Sequence, residues 1–423
     1  MAASVFEDLT WRGLIAQSTD PGALRAVLED GSITLYCGFD PTAPSLEFGN
    51  LVQLATMRRL QLAGHRPVAV VGGATGLIGD PSGKSAERML NPVEVVGQWV
   101  ERIRTQVERI LSFEGENAAR IVDNLEWTGD LSAIDFLRDI GKHFSVSRML
   151  AKESVSARLE AGGISYSEFS YQILQAYDYL ELRRRYACVL QTGGSDQWGN
   201  LTAGVDLIRR VDGETVHALA TPLITKADGT KYGKTAIGAV WLDPEMTSPF
   251  AFYQYFLNQA DADVGPLLRV FSFRSHEEIE ELEARAASEP EGRLGQLALA
   301  GELTALVHGD DAAGEAIAAS RALFGDGDLT RLDARTLAAA VAEVPRTTVA
   351  PADGLPPLID LAVACGLFES RGAAKQAIAQ GGVYANNQRV TDGAATPTRD
   401  DLLHGRWLLL RRGKKTLAAV EVR

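Results

Sequence analysis

Cysteine is scarce: Cys37, Cys188 and Cys365 are scattered, odd in number and far apart along the chain. That usage implies no disulfide framework, offers no zinc-ligand spacing and suits a reducing compartment. No run of about eighteen or more apolar residues occurs, which argues against a membrane-spanning helix. The opening stretch MAASVFEDLTWRG has neither a basic n-region nor an apolar h-region, so a cytoplasmic protein without membrane attachment is expected. No self-similar period recurs, which sets aside solenoids and propellers. Positive charge is in deficit as well. The 42 Lys and Arg against 55 Asp and Glu leave a net charge of −13, which argues against indiscriminate nucleic-acid binding by the whole surface.

What is present is ample core material, with 46% hydrophobic and 23% charged residues over 423 positions, enough for two or three domains. Charge is unevenly placed. From Pro351 onward ten basic and seven acidic residues give a tail of +3 on a body of −16, so one end suits a polyanion that the body repels. Ile33 to Phe39 (ITLYCGF) reads as a strand ending at a proline-rich turn, Leu46 to Ala63 as a helix stopped by Gly64, and Pro67 to Val71 as a buried parallel strand. This βαβ unit runs into GGATGLIGD, where such a sheet exposes ligand-binding loops. Val93 to Phe113 and Leu131 to Ala161 look helical, and Ala187 to Gln191 is another strand, so residues 1–246 are expected to form a doubly wound α/β domain. Amphipathic helices, among them Ser275 to Ala287 and Leu294 to His308, make 247–344 a second, helical domain. Proline-rich 345–357 reads as a linker, and 358–423 as a compact α+β module ending in the strand-like WLLLRRGKK.

Four elements carry chemistry. In the first, a strand leads through Tyr36-Cys37-Gly38-Phe39-Asp40-Pro41-Thr42 to a helix start at Glu47-Phe48-Gly49-Asn50; free N–H groups and partial positive charge there seat a phosphate or nucleotide, unless the glycines serve only the turn. In the second, Lys226, Lys231 and Lys234 punctuate the glycine-bearing KADGTKYGKT; such ammonium groups can follow phosphate charge as it develops, or simply be solvated. Third, Tyr171, Gln175 and Asp178 share one helix face, lining either a polar pocket or a hydrated surface. Fourth, GGSDQWGN after a strand suits contacts to a ribose or an amino acid.

Together these elements, with FLRDIGKHFSV and WLDPEMTSPF, resemble the bacterial tyrosyl-tRNA synthetases, a class I aminoacyl-tRNA synthetase family, over about residues 5 to 421. The resemblance implies a Rossmann-like catalytic domain, a helical anticodon-binding domain and a small RNA-binding C-terminal module. It also implies ATP as substrate with Mg2+, no prosthetic group and no protein-held metal, L-tyrosine and tRNA(Tyr) as partners, and a homodimer. Tyr36 and Asp178 would contact the substrate phenol hydroxyl; Tyr171, Gln175, Asp80, Asn124 and Gln197 would surround the rest of the amino acid. An unmatched buried donor–acceptor pair disfavours phenylalanine by more than the hydroxyl's area suggests. Gly38, Asp40, Phe48, Gly49, Gly194, Asp196 and Lys234 would hold ATP, and Thr42, Lys84, Arg88, Lys231, Lys234 and Thr235 would stabilise the reacting phosphates. Lys152, Trp198, Arg209 and Arg210 match acceptor-stem positions, while Arg371, Lys375, Arg411, Arg412, Lys414 and Lys415 form the basic tail surface.

The chain departs from the family at the helix start, where His-x-Gly-His is replaced by Glu47-Phe48-Gly49-Asn50. Asn50 still donates through its amide, but a carboxylate only accepts. At about 4 Å from a phosphate oxygen it is repelled by roughly 4 kcal/mol at an effective dielectric near 20, before screening and rotation. Three arrangements stay open: Glu47 rotates away or pairs with Lys84, Lys231 or Lys234; it binds magnesium; or the chain is an impaired or redirected paralogue that binds nucleotide and tRNA. Tyr232 in place of the usual phenylalanine is a milder change.

Overall fold

The structure is a computed structural model that describes residues 4–82, 91–161, 163–227, 229–230, 232–235, 238–324, 328–342, 344–350, 354–413 and 416–423. The chain divides into two compact units, Met1–Met246 with Ala260–Gly295, and Thr247–Gln259 with Gln296–Arg423.

In the first unit, strands β1 (Gln17–Ser18), β2 (Thr34–Phe39), β3 (Arg66–Val71), β4 (Arg120–Asp123), β5 (Cys188–Gly194) and β6 (His217–Thr221) form a sheet in the order β1-β6-β5-β2-β3-β4. Only the short edge strand β1 is antiparallel to its neighbour. β3 (RPVAVV) is apolar and almost wholly buried, as a parallel strand covered on both faces must be. The expected strand–helix–strand opening is present: β2 passes through the helix Phe48–Leu62 into β3, and Gly64, at φ +100°, ends the helix in the left-handed conformation that glycine accommodates. That helix is buried on nearly all sides, which explains its weak amphipathic pattern. A small hairpin, β7 (Lys234–Thr235) and β8 (Gly238–Ala239), carries part of the lysine-rich segment.

The continuous helix expected over Leu131–Ala161 is instead a chain of short pieces: Ala133–Asp135, a π-turn at Phe136–Ile140, Gly141–His143, Val146–Leu150 and Glu153–Ala161. Ser132 caps the first through its hydroxyl, which accepts the Asp135 N–H at 3.1 Å, and Phe144 and Ser145 are extended. Serine competes with the helix backbone and favours such restarts. Residues 260–295, expected in the separate helical domain, pack in the first unit. The reason is visible at the helix Asp261–Phe271, whose Phe271 ring lies 4.8 Å from that of Phe48.

In the second unit, β9 (Arg346–Val349), β10 (Val383–Ala385), β11 (Gln388–Arg389), β12 (Trp407–Arg412) and β13 (Thr416–Val422) form a sheet in the order β11-β10-β12-β13-β9. β9 falls inside the stretch expected to be a linker: its β-branched Thr347-Thr348-Val349 pairs in parallel with β13 despite the nearby prolines. Successive residues of β12 point to opposite faces. Trp407 and Leu409 pack with Leu323, Leu337 and Val341 of the helices, while Leu408 and Leu410 pack with Ile359, Leu361 and Ile378.

One interaction tests the packing of the first unit. Arg158 donates to Glu168 at 2.8 Å with side-chain exposures of 5% and 2%. Removing one partner strands a buried charge, so Glu168→Ala is expected to lower stability by about 3 kcal/mol in urea unfolding, and an apolar replacement of both residues is expected to recover much of the loss.

Candidate active site

Strand order reverses between β5 and β2, and in an open α/β sheet that reversal opens a crevice past the carboxyl ends of the strands. A cleft of about 450 Å³ lies there, within the range of small-molecule sites. Tyr36, Gly38, Asp40, Thr42 and the run Glu47-Phe48-Gly49-Asn50 reach it from β2 and the start of the following helix. Tyr171, Gln175 and Asp178 reach it from the helix Tyr166–Tyr186, so the shared face is a pocket wall rather than a hydrated surface. Asp80, Asn124, Gly194, Asp196 and Gln197 complete the expected set, delivered by loops after β3, β4 and β5. Tyr232 also borders the cleft.

The buried end is organised around Asp178. Its two oxygens accept from the Asn124 amide at 3.0 Å and the Trp127 indole N–H at 2.8 Å. Burial pushes its carboxyl up to about 7, against those two hydrogen bonds, which favour the ionised form. Tyr36 is 1% exposed, and its hydroxyl has no hydrogen-bond partner among the described residues. Burial, and next the charge of Asp178, hold its phenol well above the ordinary tyrosine value. Further out, Asp40 accepts from Thr75 and from the Tyr171 hydroxyl, both at 2.6 Å. The close approach of Asp40 to the β3 turn needs Gly72, where a Cβ would stand 2.1 Å from the carboxylate. Asp80 accepts from the Gln197 amide at 2.6 Å. At the helix start the Glu47 backbone N–H donates to Asn50 Oδ1 at 2.9 Å, and the Glu47 side chain is exposed at the cleft. It has no ion pair among the described residues, while its expected partners Lys84 and Lys231 lie outside them, as does Arg88. For Lys234 and Thr235 the backbone alone is described, in β7.

Trp127 and Thr75 were not singled out by sequence reasoning. Thr75 sits within the glycine-rich segment, which pointed to its loop; nothing in the periodicity around Trp127 marks it as the clamp on Asp178.

The remaining expected residues lie elsewhere. Lys152 and Arg210 border a separate recess of about 110 Å³, where Lys152 donates to the Gly199 carbonyl and burial brings its ammonium down to about 8. Arg209 and Arg210 both pair with Asp206, at 2.9 and 3.6 Å. Trp198 packs against the cluster of Leu201, Ala218 and Ala220. In the second unit Arg371 pairs with Asp360 at 3.0 Å, and Lys375 is exposed on the same helix. Arg411 lies over the Tyr384 ring at 4.4 Å and Arg412 over the Phe368 ring at 5.4 Å. Lys414 and Lys415 lie outside the described residues.

A nucleotide-type parallel sheet with a polar cleft at its switch point, and a lysine-bearing hairpin in the same unit, defines a catalytic unit of the class I aminoacyl-tRNA synthetase kind. The sequence profile of the class I tRNA synthetases for tryptophan and tyrosine matches residues 28–325, and that of the tyrosine–tRNA ligase C-terminal domain matches residues 336–420. The tyrosine–tRNA ligase of Streptomyces avermitilis is 62% identical over 421 residues, spanning 99% of each chain, and that of Streptomyces coelicolor is 61% identical with the same coverage. A C-terminally truncated mitochondrial tyrosyl-tRNA synthetase from Aspergillus nidulans superposes with a TM-score of 0.69 at 28% identity, covering 76% of this chain and 94% of that one. The chain therefore belongs to the tyrosine–tRNA ligase family of aminoacyl-tRNA synthetases. Nothing among these relatives favours the reading as a binding-only paralogue. No helix among the described residues is long and apolar enough to cross a membrane.

The raised Asp178 carboxyl sets a sign for stability. A carboxyl raised from 3.8 to about 7 contributes fully below its unfolded value and loses that contribution as pH rises through the folded one. The wild type is thus expected to lose stability relative to Asp178→Asn as pH rises from roughly 4 to 7, levelling above, in urea unfolding across that range.

Proposed function

We propose that the cleft activates L-tyrosine with ATP and passes the tyrosyl group to tRNA(Tyr). The carrying observation is the pairing at its buried end of a Tyr36 hydroxyl without a described partner and an Asp178 carboxylate held by Asn124 and Trp127. A substrate phenol hydroxyl both donates and accepts, so it satisfies both groups; phenylalanine leaves them buried and unmatched. Tyr171, Gln175, Asp80 and Gln197 supply oxygen acceptors of the kind an α-ammonium needs, and Asn124 supports the same wall.

The reaction forms a bond between a tyrosine carboxylate oxygen and the α-phosphorus of ATP and breaks the bond from that phosphorus to pyrophosphate. A carboxylate is already a nucleophile, so no general base is required. The rate comes from positioning and from donors and cations at the developing phosphate charge. The helix start at Phe48–Asn50 offers backbone N–H groups, and Thr42, Lys84, Arg88, Lys231, Lys234 and Thr235 are the side chains assigned to the phosphates. ATP enters as its magnesium complex. The acceptor stem is assigned to Lys152, Trp198, Arg209 and Arg210, the anticodon to the helices of the second unit, and the tRNA backbone to Arg371, Lys375, Arg411, Arg412, Lys414 and Lys415. The setting is the cytoplasm.

A homodimer completes the proposal. Large apolar side chains are exposed along one stretch of the first unit, including Ile134 at 69%, Val146 at 60% and Tyr166 at 69%. Exposed apolar side chains of this size are what a partner copy would cover. Light scattering is expected to give a dimer, and Ile134→Asp with Val146→Asp to give a monomer.

Tyrosine-dependent exchange of pyrophosphate into ATP tests the chemistry. Exchange is expected with tyrosine and not with phenylalanine. Because the Glu47 carboxylate is exposed beside the phosphate seat, Glu47→His is expected to raise the rate several-fold, roughly what a solvent-screened like-charge contact costs; an unchanged or lower rate shows that Glu47 is no handicap.

A further inference from the structure

Among the described residues, the segment Lys226 to Thr235 is held in part by a residue outside the cleft. Asp263 belongs to the first turn of the helix Asp261–Phe271, is 7% exposed, and accepts the backbone N–H of Ala227 at 2.7 Å. Ala227 stands between Lys226, whose N–H donates to the Thr230 carbonyl at 2.8 Å, and the turn closed by Gly229 donating to the Lys226 carbonyl at 2.8 Å. Asp263 therefore anchors the start of the loop.

The helix that bears Asp263 is itself held. Arg12 donates to the carbonyls of Arg269, Ser272 and Arg274, each at 2.9 Å. Arg59 donates to the carbonyls of Val270 and Ser272 at 3.0 and 2.6 Å, and its guanidinium lies 4.5 Å from the centre of the Phe273 ring. Arg59 projects from the same helix whose first turn is Phe48-Gly49-Asn50, and Phe271 packs on Phe48. One helix is thus tied at its carboxyl end to the helix that begins at the cleft, and at its amino end to the loop that delivers the lysines.

We propose that Asp263 is a positioning residue for adenylate formation: by holding the Ala227 N–H it sets where the lysine-bearing segment leaves the fold, without touching any substrate. Placing cations at a developing charge is a matter of geometry, so loss of this anchor lowers the rate of the chemical step while leaving tyrosine binding, built on β2 and the helix Tyr166–Tyr186, intact. The inference rests on the proposed roles of Lys231 and Lys234.

The test compares wild type, Asp263→Ala, Asp263→Asn and Ala227→Pro, the last of which removes the donor from the loop side. Tyrosine-dependent pyrophosphate exchange is read as kcat and as KM for tyrosine, and amide hydrogen exchange is followed over 224–235 and over the helix Tyr166–Tyr186. For Asp263→Ala and for Ala227→Pro, kcat is expected to fall about tenfold or more with KM for tyrosine within about twofold, and amides of 224–235 to exchange faster while those of the helix do not. Asp263→Asn keeps an acceptor oxygen and is expected to recover most of kcat. Unchanged kcat and unchanged loop exchange in Asp263→Ala overturn the proposal. So does a loss that appears equally in KM for tyrosine and in helix protection, since that is general loosening. If the wild type gives no exchange with tyrosine, the functional reading fails on its own, and loop hydrogen exchange still decides the anchor: faster in Asp263→Ala and Ala227→Pro supports it, unchanged overturns it.

Discussion

The reversal of strand order about β2 is the constraint on which the catalytic unit depends. The chain leaves β2 toward β3 on one side and returns with β5 on the other, so the loops at those carboxyl ends diverge and leave a gap no side chain fills. The polar groups of the cleft are delivered to that gap by the ends of strands whose own side chains are mostly apolar and buried. Tyr36 stands on β2, Asp40 just beyond it, Asp196 and Gln197 beyond β5, and the helix Tyr166–Tyr186 lays Tyr171, Gln175 and Asp178 across the opening.

The cleft is rich in carboxylates, and they do not behave alike. Asp40 and Asp80 each accept hydrogen bonds from neutral donors, and burial moves the ionisation of Asp178 up to about 7. A site with this much negative charge and a net charge of −13 behind it repels ATP at long range. Under the proposed function the attraction is local, from helix N–H groups and from the lysines assigned to the phosphates. Glu47 adds one more carboxylate at the cleft's helix start.

Much of this was legible in the sequence where local signals agreed with tertiary ones. ITLYCGF, the following helix, PVAVV and the Gly64 stop became β2, Phe48–Leu62 and β3 within a residue or two, because burial on both faces leaves a continuous apolar run that nothing else explains. The helix face of Tyr171, Gln175 and Asp178 was readable for the same periodic reason. Leu131–Ala161 misled, since helix-compatible composition hides the restarts that Ser132 and Ser145 impose. β9 was hidden by its proline-rich surroundings, being stabilised by a partner strand some seventy residues away. The clamp of Trp127 on Asp178 left no trace either: a hydrogen bond between β4's following turn and a distant helix depends on packing, and no spacing in the chain encodes it.

The catalytic unit is discontinuous, for its last segment, Ala260–Gly295, follows thirteen residues that belong to the other unit. On the ribosome the sheet and its cleft can assemble early, but the helix that braces Phe48 and Ala227 is made only later. Until Phe271 has been synthesised, the nascent chain holds the cleft without the helix that braces it, and it exposes the Phe48 surface that Phe271 will cover. Vectorial synthesis thus separates in time the cleft from the helix that braces it, and leaves the Phe48 ring uncovered in that interval.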